Sequence, residues 1–180
     1  MTAPMKIHRL LAPLIALAAA LLALGTRAAE TKKANAPEWA ELFGGASLPV
    51  VWQSASSASE KIDAALAAKK LDGVADWAET IHLAAHALED QIKIDDPERA
   101  KRLKGAFEQA AKIADDVLDA ANHNESEKAA EAQRRLKSAL ALAKARLPKE
   151  ILDAPKQEVR FAKSAGHAHD EKGDHVPKKK

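Results

Sequence analysis

The stretch Lys-Ile-Asp-Asp-Pro at positions 93–97 decides the fold, because one helical pattern ends before it and another begins at its end. Asp96 is a good helix-capping residue, and Pro97 suits the first position of a helix, where its missing amide proton is not needed. On both sides of this stretch, apolar residues recur at steps of three and four, as on one face of a helix. The sequence therefore predicts two amphipathic helices joined by a short loop.

The same pattern extends outward to two further helices. The four predicted helices cover about 49–70, 74–91, 97–121 and 125–147. Ser47 is the expected cap of the first, Asp72-Gly73 the first connection, and Asn124 with Glu127 a capping pair for the last. Helices with short connections favour antiparallel neighbours. We therefore expect an all-α protein, with an antiparallel up-down four-helix bundle over residues 49–147.

Residues 1–28 have the three parts of a secretory signal peptide. Lys6 and Arg9 make a basic start, residues 10–24 are almost entirely Leu, Ala and Ile, and small residues follow up to Ala28. This order is what the export machinery recognises, so we expect cleavage near Ala28 and a periplasmic protein without a membrane span. The alternative is a permanent anchor. An anchor needs about 20 apolar residues, and this run is shorter.

The composition excludes several kinds of function. Three of the 28 basic residues and none of the 26 acidic ones lie in the predicted signal, so the processed chain would be nearly neutral. This removes the compositional support for nucleic-acid binding. The chain has no cysteine, and both methionines, Met1 and Met5, lie in the signal. Thiolate metal sites, disulfides, Cu(I) sites and Met-ligated haem are therefore excluded for the processed chain.

The two segments that flank the predicted bundle differ in composition from it. Residues 29–48 form an arm with an apolar cluster at Trp39, Leu42 and Phe43. The arm either docks on the bundle or forms a mobile linker. Residues 148–180 are charged and contain histidines and lysines, so we expect a flexible, disordered tail that cannot bury enough apolar surface to order itself.

The second hairpin resembles a known family. The residues that carry the resemblance are Asp115-Asp116, Leu118, Ala121-Asn122, Ala129 and Leu136-Lys137, which fall in matching order without a gap. They resemble the last helical hairpin of the cytochrome b562 family, which implies the same up-down bundle. Where that family places its haem-ligating methionine and histidine, this chain has Ala55 and Lys144. We therefore do not expect haem. A looser similarity is to small periplasmic bundle proteins found with heavy-metal resistance systems.

The second predicted helix carries a series of metal-ligand residues. Glu79, His82, His86 and Glu89 follow one another at steps of three, four and three. Residues with this spacing lie on one side of a helix, and two imidazoles four residues apart can bind one ion. The alternative is a solvated face with pairs between acids and histidines.

The tail offers a second set of ligands. His167, His169 and His175 are interspersed with carboxylates. Imidazole and oxygen ligands in a flexible segment suit divalent Ni, Co, Zn or Cu(II). The alternative is a tail that only adds solubility.

No catalytic constellation is present, so we do not expect an enzyme. The sequence favours a periplasmic, non-enzymatic bundle protein whose partner is a divalent transition-metal ion, which it binds, buffers or handles as a resistance accessory. A second hypothesis is a metal-free structural or adaptor protein with an envelope protein as partner. A third is a haem carrier of the cytochrome b562 type.

Overall fold

The computed structural model describes residues 36–163, and in them the chain is all-helical, which confirms the predicted all-α class. The chain divides into two units, residues 1–37 and 38–180, and every described helix lies in the second. The helices are α1 (Trp39–Phe43), α2 (Leu48–Ala67), α3 (Val74–Gln91), α4 (Pro97–Asn122), α5 (Ser126–Lys144) and α6 (Lys149–Leu152). The predicted signal peptide and the tail histidines His167, His169 and His175 lie outside the described residues.

The four long helices, α2 to α5, pack in chain order around one core. α3 contacts both α2 and α4, α4 contacts α5, and α2 contacts α5 as well as α6. Alanine occupies many fully buried positions, which lets helix backbones approach closely. The largest fully buried apolar side chains are Phe43, Phe107, Ile62, Ile81, Leu88 and Leu136. Burying a side chain of this size stabilises the fold by about 1.5–3 kcal/mol.

The predicted boundary at positions 93–97 is confirmed. The carboxylate of Asp96 accepts hydrogen bonds from the backbone amides of Glu98 (2.9 Å) and Arg99 (3.1 Å). These are two of the four amides that the first turn of a helix leaves without a partner. The helix before this stretch also has its predicted bounds, Val74 and Gln91.

The predicted capping pair of Asn124 and Glu127 is wrong. Asn124 has a left-handed backbone (φ 57°), and the amide of Glu125 donates to the carbonyl of Ala120. This pattern ends a helix, because the left-handed residue turns the chain so that a free carbonyl of the last turn finds a donor. Asn124 therefore terminates α4, and α5 begins at Ser126 without a side-chain cap.

The arm docks on the helices in the part that the structure describes. The ring of Phe43 is fully buried in the core, and the indole nitrogen of Trp39 donates to Asp90 Oδ2 on α3 at 2.8 Å. α1 accordingly contacts α3. The sequence left open whether the arm docks on the bundle or forms a mobile linker, and these residues of the arm are docked.

Residues 148–163, which the sequence analysis assigned to the flexible tail, pack against the helices. α6 buries Ile151, and the segment 153–163, here named the strap, continues along α2 and α3. The strap amide of Arg160 donates to Ser54 Oγ (2.9 Å), and that of Ala162 donates to Thr80 Oγ1 (2.8 Å). Both hydroxyls are fully buried. For residues 148–163 the predicted disorder is therefore wrong. That prediction rested on their charged composition, which does not show that hydroxyls of distant helices accept hydrogen bonds from the strap.

Among residues 36–163, no helix is long and apolar enough to cross a membrane.

Candidate functional site

The two helical histidines lie together on α3. The ring centroids of His82 and His86 are 4.7 Å apart, and the ring planes meet edge to face at 69°. The side chain of His82 is 21% exposed and that of His86 is 44% exposed. The four-residue step thus brings two imidazoles into contact at the protein surface, as the sequence predicts.

Asp115 on α4 joins this pair, a residue that the sequence analysis did not include among the ligands. Its Oδ1 lies 2.7 Å from Nδ1 of His82. The nitrogen is buried and makes no hydrogen bond of favourable direction, so the contact is electrostatic. Because Asp115 lies against Nδ1, Nε2 is the His82 nitrogen that could bind a metal. No spacing rule could have found Asp115, because it reaches His82 through the packing of two helices.

Glu89, a predicted metal ligand, pairs with a lysine of the neighbouring helix. Its side chain is only 13% exposed, and its Oε1 pairs with Nζ of Lys104 on α4 at 2.9 Å. The other carboxylate oxygen lies 3.8 Å from Nδ1 of His86. The pKa of Lys104 is raised, first by its hydrogen bond to Glu89 and then by the attraction between the two charges. Glu89 therefore connects α3 to α4 and neighbours His86 rather than acting as a free carboxylate.

Glu79 lies at the other end of the predicted series, where it lines a surface cavity with Leu83 and Leu118. Among residues 36–163, no group of three or more histidines and carboxylates is arranged to hold a metal ion. The structure thus places His86 and Asp115 each against His82 without forming a three-ligand group, and it does not gather all four predicted ligands of α3 around one point.

The third histidine-and-acid contact among the described residues lies elsewhere. His123, at the end of α4, has its Nδ1 2.9 Å from the carbonyl oxygen of Asp119 and 3.3 Å from its carboxylate. This contact is local to one helix end. At the two places where the cytochrome b562 family has haem ligands, Ala55 is buried and offers no donor atom, and Lys144 is exposed on α5.

Comparisons of the chain with protein-family models, with curated proteins and with solved structures find no match. The resemblance to the cytochrome b562 family therefore stays a prediction, and the site has to be argued from its own residues.

Proposed function

We propose that this chain is an exported, non-enzymatic protein of the periplasm that binds a divalent transition-metal ion through His82 and His86. The observation that carries the proposal is the contact of the two imidazoles at 4.7 Å, with Asp115 2.7 Å from the first of them. A carboxylate that holds the far nitrogen of a ligating histidine is a recurring feature of metal sites, because it orients the ring and increases its basicity.

The scaffold of this site is, in our proposal, an antiparallel up-down four-helix bundle. Each long helix contacts the next in the chain, and the first and last of them, α2 and α5, also contact each other. The connections between them are short, which favours antiparallel neighbours. Such a scaffold places His82 on one helix and Asp115 on its neighbour with little freedom to separate.

Two imidazoles fill only part of a metal's coordination shell, so the structured site would be weak by itself. Water would occupy the other positions, or His167, His169 and His175 of the tail would supply further ligands. Nitrogen and oxygen ligands without thiolate suit Ni, Co, Zn and Cu(II). A weak, exposed site of this kind fits the binding or buffering of ions at high concentration, as expected of a resistance accessory.

The export part of the proposal rests on residues 1–28, whose basic start, apolar run and small residues match a cleaved signal. Mass determination of the protein recovered from the periplasm would test it, with a mature chain that begins near Ala29 as the expected result.

Isothermal calorimetry with Zn(II), Ni(II), Co(II) and Cu(II) tests the metal site. We expect the double variant His82→Ala/His86→Ala to lose most of the binding that remains after residues 164–180 are deleted. His123→Ala is the matched control, because it removes an exposed histidine outside the pair. Unchanged binding in the double variant would refute the helical site. If none of the four ions binds, and an envelope protein still binds the chain in the presence of a metal chelator, the metal-free adaptor is favoured.

A further inference from the structure

A cavity of about 710 Å³ opens on the surface where the arm, two long helices and the strap meet. Its lining comes from four separate parts of the chain. The lining residues are Glu38, Glu41 and Leu42 near α1, Glu79 and Leu83 on α3, Leu118 and Asn122 on α4, and Phe161, Ala162 and Lys163 of the strap. This volume falls within the range of small-molecule sites in proteins, about 300–1,000 Å³.

The walls of the cavity are tied to one another. The strap is fixed to α3 by the amide of Ala162, which donates to the buried hydroxyl of Thr80 at 2.8 Å. It is fixed to the arm by the guanidinium of Arg160, which donates to the carbonyl of Leu42 at 2.9 Å. The cavity is therefore formed before any ligand binds, which lowers the entropic cost of binding.

The chemistry of the lining is apolar with an acidic rim. Leu42, Leu83, Leu118 and Phe161 provide an apolar surface. The rim carries three carboxylates, of Glu38, Glu41 and Glu79, against the single ammonium of Lys163. None of these carboxylates has an ion-pair or hydrogen-bond partner among the described side chains.

Three acids without partners among residues 36–163, beside an apolar surface, favour a ligand that is both positively charged and apolar. We propose that this cavity binds small organic cations with an apolar body, such as quaternary ammonium or phosphonium compounds. The apolar body would lie on the leucines and Phe161, and the charge would face the carboxylates. An anion of the same shape would meet the acidic rim and bind poorly, which gives the proposal its specificity.

This cavity site is distinct from the proposed metal site. It shares with the predicted ligand series only Glu79, which makes no ion pair with His82 or His86 in the part of the chain that the structure describes. A failure to find Zn(II) binding would therefore not refute the cavity proposal. A failure to find cation binding in the cavity would likewise not refute the metal site.

The test uses two probes of nearly the same size and opposite charge. Binding of tetraphenylphosphonium and of tetraphenylborate to the purified full chain is measured by calorimetry at low salt. We expect the cation to bind and the anion to bind at least about tenfold more weakly, with cation affinity falling as salt is added. Equal binding of the two ions, or no binding of the cation, would overturn the proposal.

The variants Glu41→Gln and Glu79→Gln remove one charge each at nearly constant shape. We expect each to weaken cation binding about two- to fivefold and the double variant about tenfold, the range for partly exposed charge pairs. Glu131→Gln, an exposed acid of α5 outside the cavity, is the matched control and should bind as the parent does. Circular dichroism confirms that each variant is folded. Unchanged affinity in the folded double variant would also overturn the proposal.

Discussion

Oδ1 of Asp115 on α4 lies 2.7 Å from the buried Nδ1 of His82 on α3. This contact crosses from one helix to the next and is the only contact of His82 with a carboxylate at this distance among the described residues. In the proposed metal site, the close approach of this carboxylate would favour one orientation of the His82 ring.

From this contact we predict that Asp115 raises the metal affinity of the site without being a metal ligand itself. We expect Asp115→Ala to weaken Zn(II) binding by the pair about tenfold, because such orienting partners contribute about ten- to a hundredfold. Asp119→Ala, one turn further along α4, is the control and should bind as the parent does. Calorimetry measures both. Parent-like affinity in Asp115→Ala would show that the carboxylate does not assist the site.

The strap predicts a second effect, on local stability. Ser54 Oγ donates to its own helix at Val50 O (2.8 Å) and accepts from the amide of Arg160, so one hydroxyl serves two backbone groups. Ser54→Ala leaves the strap amide without a partner, and we expect it to lower the free energy of unfolding by about 1–2 kcal/mol.

Hydrogen exchange of the Arg160 amide reports this loss directly and should be faster in Ser54→Ala. The matched control is Ser138→Ala, because that hydroxyl donates only to its own helix, at Arg134 O. Its stability should stay within about 0.5 kcal/mol of the parent. Equal exchange of the Arg160 amide in the parent and in Ser54→Ala would contradict the role of the hydroxyl.

Lys104 predicts a pH dependence. Its pKa is raised above 10.5 by Glu89, and a cation whose pKa is higher in the folded chain stabilises it at pH values below the unfolded pKa. This contribution is lost as the pH rises through the folded pKa. We therefore expect Lys104→Gln to have a lower Tm than the parent at pH 8, and the difference to vanish when the pH is taken well beyond 10.5.

Thermal unfolding followed by circular dichroism measures this difference. Lys101→Gln, an exposed lysine on the same helix, is the control and should show no pH-dependent difference from the parent. A difference between Lys104→Gln and the parent that persists at high pH would show that packing, rather than charge, is responsible.

The helices were predictable because their signals are local. Asp96 and Pro97 lie next to each other in the sequence, and the cap that they form involves only the following turn. The apolar steps of α3 likewise place Ile81 and Leu88 in the core without reference to other helices. Trp77, in contrast, is only partly buried, and the ammonium of Lys61 lies 5.6 Å from the centroid of its ring.

The site was predictable only in its local part. The contact between His82 and His86 follows from a four-residue step on one helix. The partners of Glu89 and His82 come from α4, and the strap partners come from residues more than 80 positions away. Those contacts depend on the rotation of helices about their axes and on the path of the strap, which hydrophobic spacing does not determine.

The end of α2 predicts a stabilising substitution. Lys69 has a left-handed backbone (φ 56°), and the amide of Lys70 donates to Ala65 O at 2.9 Å, the pattern that glycine usually adopts at a helix end. Glycine takes this conformation without steric cost, so we expect Lys69→Gly to raise the free energy of unfolding by about 1 kcal/mol. Lys70→Gly is the control, since Lys70 is not left-handed. Urea unfolding measures both variants. A free energy of unfolding for Lys69→Gly that is no higher than that of Lys70→Gly would contradict the prediction.

Gln133 on α5 forms a buried polar connection to α2, whose contribution to the free energy of unfolding can be predicted. Its amide nitrogen donates to Ser59 O (3.0 Å), Ser59 Oγ (3.1 Å) and Asp63 Oδ1 (3.1 Å). A carbonyl and a carboxylate can only accept, so the nitrogen must face them. The amide oxygen is buried without a partner among the described residues, which makes the group costly as well as useful.

Because Gln133 combines stabilising hydrogen bonds with a destabilising unpaired oxygen, we expect two substitutions at this position to differ in their effect on stability. Gln133→Ala removes the bonds and leaves a void, and we expect a loss of about 2–3 kcal/mol in the free energy of unfolding. Gln133→Leu also removes the bonds but keeps the volume and eliminates the unpaired oxygen, so its loss should be at least about 1 kcal/mol smaller. Arg134→Ala, an exposed neighbour, should stay within about 0.5 kcal/mol of the parent. Equal losses for Ala and Leu in urea unfolding would mean that the hydrogen bonds to Ser59 and Asp63, rather than the filled volume, account for the stability at this position.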